Sequence, residues 1–197
     1  MKKNKIILTE GYKNIGIVFT VAIVLNLLVS DCLSYIAFFV GIALLYIYRD
    51  TYRHIFKNTQ SVLAPIDGRV TAIDKVNGKY KIHCKVGLLD NHVLRAPVDG
   101  VLKMKKYRHG LHLNPNTHRA SLYNEQMVLS FGDLKVKLIS GLCNNNIKRV
   151  AEKKISQGDK ISVFIDGMVV ITIQDKNDLL INIGDKLTSG QSILFKK

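Results

Sequence analysis

The stretch DNHVLRAPVDG, residues 90–100, decides how the second half of this chain is interpreted. It places His92 two residues after Asp90 and Arg95 three residues further on, and it ends in Asp99-Gly100. A histidine beside charged residues and a turn dipeptide is typical of a functional site. A β-hairpin corner with solvated polar side chains would use similar residues. The stretch alone leaves both interpretations open.

Two other stretches favour a site. Ala64-Pro65-Ile66-Asp67-Gly68 has the same ending upstream, and a polar run covers residues 114–125. Between and beyond them, short segments rich in β-branched residues alternate with period two and are separated by glycine-containing turns. These segments are residues 69–73, 79–83, 134–139 and 161–165. The pattern predicts a mainly β, strand-rich sandwich or barrel over residues 58–197.

The N-terminal part has a different composition. Two apolar runs, residues 15–29 and 35–48, contain no charged residue, and Asp31 in the break between the runs is the one charge from Asn14 to Tyr48. With their flanks they approach the roughly 20 residues that span a bilayer, which predicts a transmembrane helical hairpin within residues 1–57. A cleaved signal peptide fits less well, because the apolar part is long and shows no small-residue cleavage site.

Basic residues on both sides of the hairpin predict its orientation. They are Lys2, Lys3, Lys5 and Lys13 before the runs and Arg49, Arg53 and Lys57 after them. Because positive flanks stay in the cytosol, we expect an inner-membrane protein with its globular part on the cytoplasmic side.

The net charge of +14 predicts an anionic partner. Anionic phospholipid of the membrane fits best, and nucleic acid is disfavoured because the chain has no zinc-finger spacing, no aromatic RNA-binding motif and no Trp. The three cysteines are far apart, which argues against a disulfide framework or a zinc site. His109 and His112 could hold a metal, but no carboxylate lies between them, and we expect no metal site there.

Taken together, these stretches resemble the small bacterial phosphatidylserine decarboxylase proenzymes. The matching residues, in chain order, are Glu10-Gly11-Tyr12, Tyr48-Arg49-Asp50, Ala64 to Gly68, Asp90 to Gly100, Gly110, Asn114, Ala120-Ser121 and Asn124-Glu125. The resemblance implies a strand-rich, pyruvoyl-dependent domain behind a membrane hairpin. It also implies a lyase of phospholipid biosynthesis, which removes the serine carboxylate of phosphatidylserine as carbon dioxide and leaves phosphatidylethanolamine.

The resemblance also implies roles for individual residues. Asp67 belongs by resemblance to the self-cleavage machinery and His92 to the catalytic site. The residues that correspond to substrate-binding positions are Arg95, Asn114, Asn124 and Glu125.

The chain departs from the family at the position of the pyruvoyl group. The family forms this group from the serine of a Gly-Ser pair, whose oxygen attacks the preceding carbonyl. Counted back from Gly184, the pair falls on Asp166-Gly167, so Gly167 occupies the serine position. Because glycine has no oxygen to offer, we expect an uncut chain, no pyruvoyl group and impaired or absent decarboxylation.

Other functions remain open at this level. A non-catalytic homologue that binds lipid or a protein partner would keep the basic surface and the cleft around Asp67 and His92. A barrel-sandwich adaptor unrelated to lipid is a third interpretation. A biotin or lipoyl carrier is disfavoured, because the lysine that would carry the group in a hairpin is missing. The sequence leaves open whether the chain forms a homo-oligomer or joins an intact homologue.

Overall fold

The computed structural model describes residues 7–8, 11–28, 30–55, 57–144, 146–174 and 178–196. The chain divides into two units, Met1–Tyr52 and Arg53–Lys197. Several residues named in the expectations from the sequence lie outside the described residues: Lys2, Lys3, Lys5, Glu10 and Val29.

The first unit is a pair of helices, α1 (Tyr12–Leu28) and α2 (Asp31–Ile47). They form where the apolar runs predicted them. The two helices pack on each other through Phe19 and Phe38, whose ring centroids are 5.8 Å apart. At the turn between them, the Asn26 side chain donates a hydrogen bond of 3.1 Å to Asp31.

The prediction that these helices span a membrane is not supported. Within the described part of the chain, no helix has both the length and the apolar character that crossing a bilayer requires. Each has 17 residues. At 1.5 Å per residue that is about 26 Å, less than the roughly 30 Å of the hydrocarbon core.

In the described part of the second unit, nearly all of the regular secondary structure is strand, as the period-two pattern predicted. Its strands are β1 (Ser61–Leu63), β2 (Gly68–Val76), β3 (Lys79–Val86), β4 (Val93–Arg95), β5 (Gly100–Arg108), β6 (Gln126–Phe131), β7 (Leu134–Ser140), β8 (Lys153–Ile155), β9 (Lys160–Val163), β10 (Gly167–Gln174), β11 (Asp178–Leu179), β12 (Lys186–Leu187) and β13 (Ile193–Lys196). One short helix, α3 (His118–Tyr123), joins them.

Eight strands form one large antiparallel sheet in the order β12-β2-β3-β10-β7-β6-β5-β8. Two smaller sheets, β1-β13-β11 and β4-β9, complete the unit. The apolar core includes side chains of the large sheet, such as Ile82 and Ile171, and of both small sheets, such as Leu194 and Leu94. Residues that alternate with these core positions point away from the core, which gives the large sheet an outer face.

The turns follow the glycine punctuation of the sequence. Between β2 and β3, Asn77 has φ 51° and Gly78 has φ 67°. Positive φ at both central residues is the geometry of a tight two-residue hairpin, and Asn-Gly suits it best. The segment predicted at residues 161–165 is a strand only as far as Val163, where β9 ends.

Candidate functional site

Four adjacent strands of the large sheet end close together. Gly167, the first residue of β10, is opposite Val86 at the end of β3 and Ser140 at the end of β7. On the far side of β3, Arg69 near the start of β2 is opposite Lys85. We call this edge the 167 end of the sheet. Most residues that the resemblance singled out lie around it.

His92 is held beside the 167 end. The side chain is fully buried, and its Nε2 lies 3.1 Å from the carbonyl oxygen of Gly87, directly after Val86. Because a carbonyl oxygen only accepts, Nε2 carries the proton in this arrangement. The backbone carbonyl of His92 accepts a hydrogen bond of 2.8 Å from Phe164, three residues before Gly167.

Asp67 comes directly before β2 and is bound on both oxygens. Arg53 binds it with both guanidinium nitrogens, through a short contact from Nη1 to Oδ1 and one of 2.6 Å from Nη2 to Oδ2. The backbone N–H of Ser189 donates a third hydrogen bond, of 2.8 Å, to Oδ1. Two-pronged binding by arginine fixes a carboxylate in orientation as well as position.

The core next to Asp67 contains the thiol of Cys84. Burial, and then the carboxylates of Asp90 and Asp67, raise the pKa of this thiol to about 12. Cys84 is therefore protonated at neutral pH, and it packs as a small apolar side chain.

Arg95 is a buried brace. Its Nη1 donates a hydrogen bond of 3.1 Å to the carbonyl of Gly158, and its backbone N–H donates one of 2.7 Å to the carbonyl of Pro65. Its Cδ lies 3.3 Å from where a Cβ at Gly190 would be. The side chain thus ties together loops that come from distant parts of the chain.

Asn124 and Glu125 are also buried, and both bind backbone. Asn124 exchanges hydrogen bonds of 2.9 and 2.8 Å with Leu113 and donates one of 2.6 Å to the carbonyl of Ser140. Glu125 accepts a short hydrogen bond from the Tyr107 hydroxyl and one of 2.9 Å from the N–H of Ile147. In this geometry the two side chains fasten loops to the 167 end.

Asn114 is exposed and organises its own loop. Its side-chain oxygen accepts a hydrogen bond of 3.0 Å from the N–H of Asn116, and its carbonyl accepts bonds from Thr117. This is a local turn, of the kind that Asn commonly forms.

Asp166 directly precedes β10 and Gly167 begins it, and the expected cleavage site lies at these two residues. The Asp166 carboxylate accepts a hydrogen bond of 3.3 Å from the N–H of Cys143. Gly167 has φ 142°, and a Cβ there would lie 2.1 Å from the carbonyl oxygen of Ile139 and 2.8 Å from Phe164. Real Cβ atoms do not approach backbone oxygens so closely. Any residue other than glycine at position 167 would therefore require the strands to shift.

Met168 turns to the outer face and lines a cleft of about 370 Å³. We call it the sheet cleft. It crosses β3, β10 and β7 and also borders the segment before β6. Its lining residues are Lys81, His83, Pro115, Ser121, Lys137, Ile139, Met168, Val170 and Thr172.

Lys137 is a half-buried cation among other cations. Burial lowers the pKa of its ammonium group, and Arg108, Lys106 and Lys81 lower it further by repulsion. A cleft that forces cations together favours an anion that would neutralise them.

Three features of this region were not predicted from the sequence. Arg53 was expected to flank the membrane, whereas the structure pairs it with Asp67. No role was predicted for Ser189, whose N–H binds Asp67. Lys81 and Lys137 were predicted only as strand residues. The signal for the cleft was the recurrence of cations at every second position of β3 and β7.

The structure suggests no metal site in the ranges that it describes. There, no three side chains of His, Cys, Asp or Glu come together as metal ligands would. His109, a candidate from the sequence, contacts Tyr107 through Nδ1 at 3.3 Å and Arg149 through Nε2 at 2.9 Å.

In this strand-rich unit, Asp67, His92 and Gly167 lie around one end of the large sheet. The sequence resemblance implied a protein of this class. A family model described as phosphatidylserine decarboxylase matches residues 40–195. This chain therefore belongs to the phosphatidylserine decarboxylase family.

Curated relatives agree with this assignment. The chain is 27% identical to a phosphatidylserine decarboxylase proenzyme of Pelagibacter ubique, over 96% of this chain and 95% of the relative. It is 29% identical to the proenzyme of Nitrosomonas eutropha, over 96% and 94%. With that of Nitrosomonas europaea the identity is 32%, over 63% and 60%. No solved structure matches significantly.

Proposed function

We propose that this chain is a membrane-attached member of the phosphatidylserine decarboxylase family that binds phospholipid headgroups without decarboxylating them. The observation that carries the proposal is the start of β10, where residues 166–168 are Asp, Gly and Met. None of the three has a hydroxyl or thiol. The family's pyruvoyl group is made from a residue of the chain itself, and this segment does not fit its formation.

The steric limit at Gly167 changes which residue is expected to correspond to the family's serine. The sequence analysis placed it at 167, where a Cβ would collide with the Ile139 carbonyl. If Gly167 instead corresponds to the glycine of the family's Gly-Ser pair, the serine position is Met168, whose side chain has room in the sheet cleft. This register leaves the conclusion unchanged, since a thioether cannot attack a carbonyl and leave an ester.

Substitution from elsewhere does not rescue the chemistry. Ser140 lies opposite Gly167 on β7, but a pyruvoyl group forms only from the residue that attacks its own preceding carbonyl. The Asp67 carboxylate, a member of the family's self-cleavage machinery by resemblance, is held by Arg53 and Ser189. Both observations support a chain that stays whole.

The helical unit supports membrane attachment. Large apolar side chains are exposed along both helices, including Leu27 at 74% and Phe39 at 67%. Exposed apolar surface of this extent requires a lipid or protein cover. Together with the basic flanks, it favours attachment to the inner membrane with the strand-rich unit on the cytoplasmic side.

The direct test is the intact mass of the purified full chain. We expect one species near 22.1 kDa, and no adduct after borohydride treatment with phosphatidylserine. A wild-type chain that is split within residues 166–168, with a keto group on the new N-terminus, would return the protein to the active decarboxylases.

Restoring a hydroxyl at each position tests whether residue 167 or residue 168 corresponds to the family's serine. We expect Met168→Ser to fold and to yield some cleaved chain at the 167–168 bond, whereas Met168→Ala, its matched control, stays whole. Gly167→Ser should lose stability through its collision with Ile139. Cleavage of Gly167→Ser but not of Met168→Ser would show that the serine position is 167.

A further inference from the structure

The outer face of the large sheet is a positively charged surface. The strand register brings basic residues of separate strands into one cross-strand row: Lys106 on β5 is opposite Val128, which is opposite Lys137, then Val170, then His83. Side chains at directly opposed positions of antiparallel strands share a face. A chain rich in lysine therefore concentrates its charge on one side of one sheet.

Parallel rows on either side extend this charge. In one, Lys103 and Lys135 align with Thr172 and Lys81. In the other, Arg108 aligns through β6, β7 and β10 with Lys85. The sheet cleft lies over the central row.

Carboxylates lie at the margins of this face. Asp74 Oδ2 is 3.1 Å from His83 Nε2, as an ion-pair contact without hydrogen-bond alignment, and Glu152 is 2.8 Å from Lys103. No carboxylate is among the residues that line the sheet cleft, whereas Lys81, His83 and Lys137 are. The cleft thus has more positive than negative charge.

From this geometry we infer that Lys81, His83 and Lys137 bind the phosphate of an amino-phospholipid headgroup in the sheet cleft. The identity of the ligand rests on the proposed function, but the phosphate site rests on the cleft alone. Lysine ammonium groups bind phosphate as point charges with hydrogen bonds, and half-burial strengthens each such bond.

The spacing along β10 favours a headgroup over free phosphate. Positions 168 and 170 lie on the same face, and two residues of a strand span about 6.7 Å. Four bonds separate the amine nitrogen of a phosphoserine headgroup from its phosphorus, a reach of about 4–5 Å. A phosphate on Lys137, opposite Val170, therefore places the amino-acid end of the headgroup next to Met168.

The apolar part of the lining fits the same ligand. Ile139, Val170 and Met168 offer the headgroup carbons apolar contacts beside the cations. Inorganic phosphate has no carbon atoms to use such a wall.

The experiment is calorimetric titration of the full-length chain in neutral detergent with four probes: glycerophosphoserine, inorganic phosphate, free serine and a short DNA duplex. Lys137→Met keeps the stem of the side chain and removes its charge. Lys135→Met is the matched control, since Lys135 is on the same strand and the same face but does not line the cleft.

We expect glycerophosphoserine to bind the wild-type chain more tightly than inorganic phosphate does, and free serine not to bind. Lys137→Met should weaken glycerophosphoserine binding about tenfold, the effect of one lost charge-assisted hydrogen bond, and Lys135→Met by less than about twofold.

Three results would overturn the inference. Equal weakening by both variants would show a diffuse field without a site. Binding of inorganic phosphate but not of glycerophosphoserine would assign the cleft to free phosphate. A DNA duplex that binds more tightly than glycerophosphoserine and is weakened equally by both variants would make the face a nucleic-acid surface.

The outcomes separate this inference from the proposed function. A chain that proves to be cleaved and active, but shows the expected Lys137 effect, would refute the non-catalytic proposal and keep the phosphate site. An uncut chain without the Lys137 effect would keep the non-catalytic proposal and refute the phosphate site.

Discussion

Replacing Arg53 by methionine removes the partner of a buried carboxylate. The Arg53 and Asp67 side chains are 13% and 9% exposed, and they are joined through both guanidinium nitrogens. After the change, Asp67 keeps the 2.8 Å hydrogen bond from the Ser189 N–H. The carboxylate is then charged, largely out of water and without its counter-ion, which is the costly arrangement.

The size of the effect follows from this geometry. Breaking a fully buried ion pair by removing one partner costs about 3–5 kcal/mol. Because this pair retains some exposure and one backbone donor, we expect Arg53→Met to lower the free energy of unfolding by about 2–4 kcal/mol. Asp67→Asn should cost a similar amount, since it leaves the largely buried Arg53 charged and without its counter-ion. The double variant should cost less than the sum, with a coupling of about 1.5–3 kcal/mol.

Cys84 offers a probe of this unfolding in the full chain. It is fully buried beside Asp67, and its pKa near 12 keeps it protonated while the unit is folded. In a background with the exposed Cys32 and Cys143 changed to serine, thiol labelling in urea reports the opening of the strand-rich unit.

A coupling below about 0.5 kcal/mol would refute the reasoning, because independent sites add within that margin. Asp67 would then not be a structural partner of Arg53, and its carboxylate would be available for the role that the family resemblance implies.

Two further predictions use the same assay. Asn124→Ala removes the three hydrogen bonds of a buried side chain and should lower the free energy of unfolding by about 2–4 kcal/mol. Asn114→Ala, in an exposed turn, should cost less than about 1 kcal/mol, and equal costs would contradict the fastening role of Asn124. Lys137→Met should raise the urea midpoint at neutral pH, because burial and neighbouring cations lower the pKa of Lys137 and the fold therefore opposes its charge. The gain in urea midpoint is complete at pH values below the lowered pKa of Lys137. It disappears above pH 10.5, the ordinary pKa of a lysine. A midpoint that falls, or a gain that persists above that pH, would show that the lysine is not strained by its charge.

Local features were predictable from the sequence because their causes are local. The alternation at residues 79–83 and 134–139 predicted strands that form as β3 and β7, and Asn77-Gly78 predicted the tight turn between β2 and β3. The apolar runs predicted two helices. Their predicted span of a bilayer is not supported, since each helix ends after 17 residues.

The ordered set of motifs determined the family, because each motif keeps its place along the chain even when its partners are distant. The missing serine hydroxyl was likewise a property of the sequence. The residue that corresponds to the family's serine could not be determined from the sequence alone. Whether residue 167 or 168 can hold a side chain depends on how closely Ile139 of the neighbouring strand approaches Gly167.

Only the tertiary structure joined residues that are far apart in the chain. Arg53 and Ser189 both bind Asp67, because β12 pairs with β2 and Ser189, two residues after the end of β12, lies beside the residue that precedes β2. Lys81 and Lys137 meet because β10 lies between β3 and β7 in register. Pairing and register are set by which strands share a core, and no local pattern of a single strand specifies its neighbour. Strands were therefore determined by the sequence locally, whereas the charged cleft was decided by the sheet.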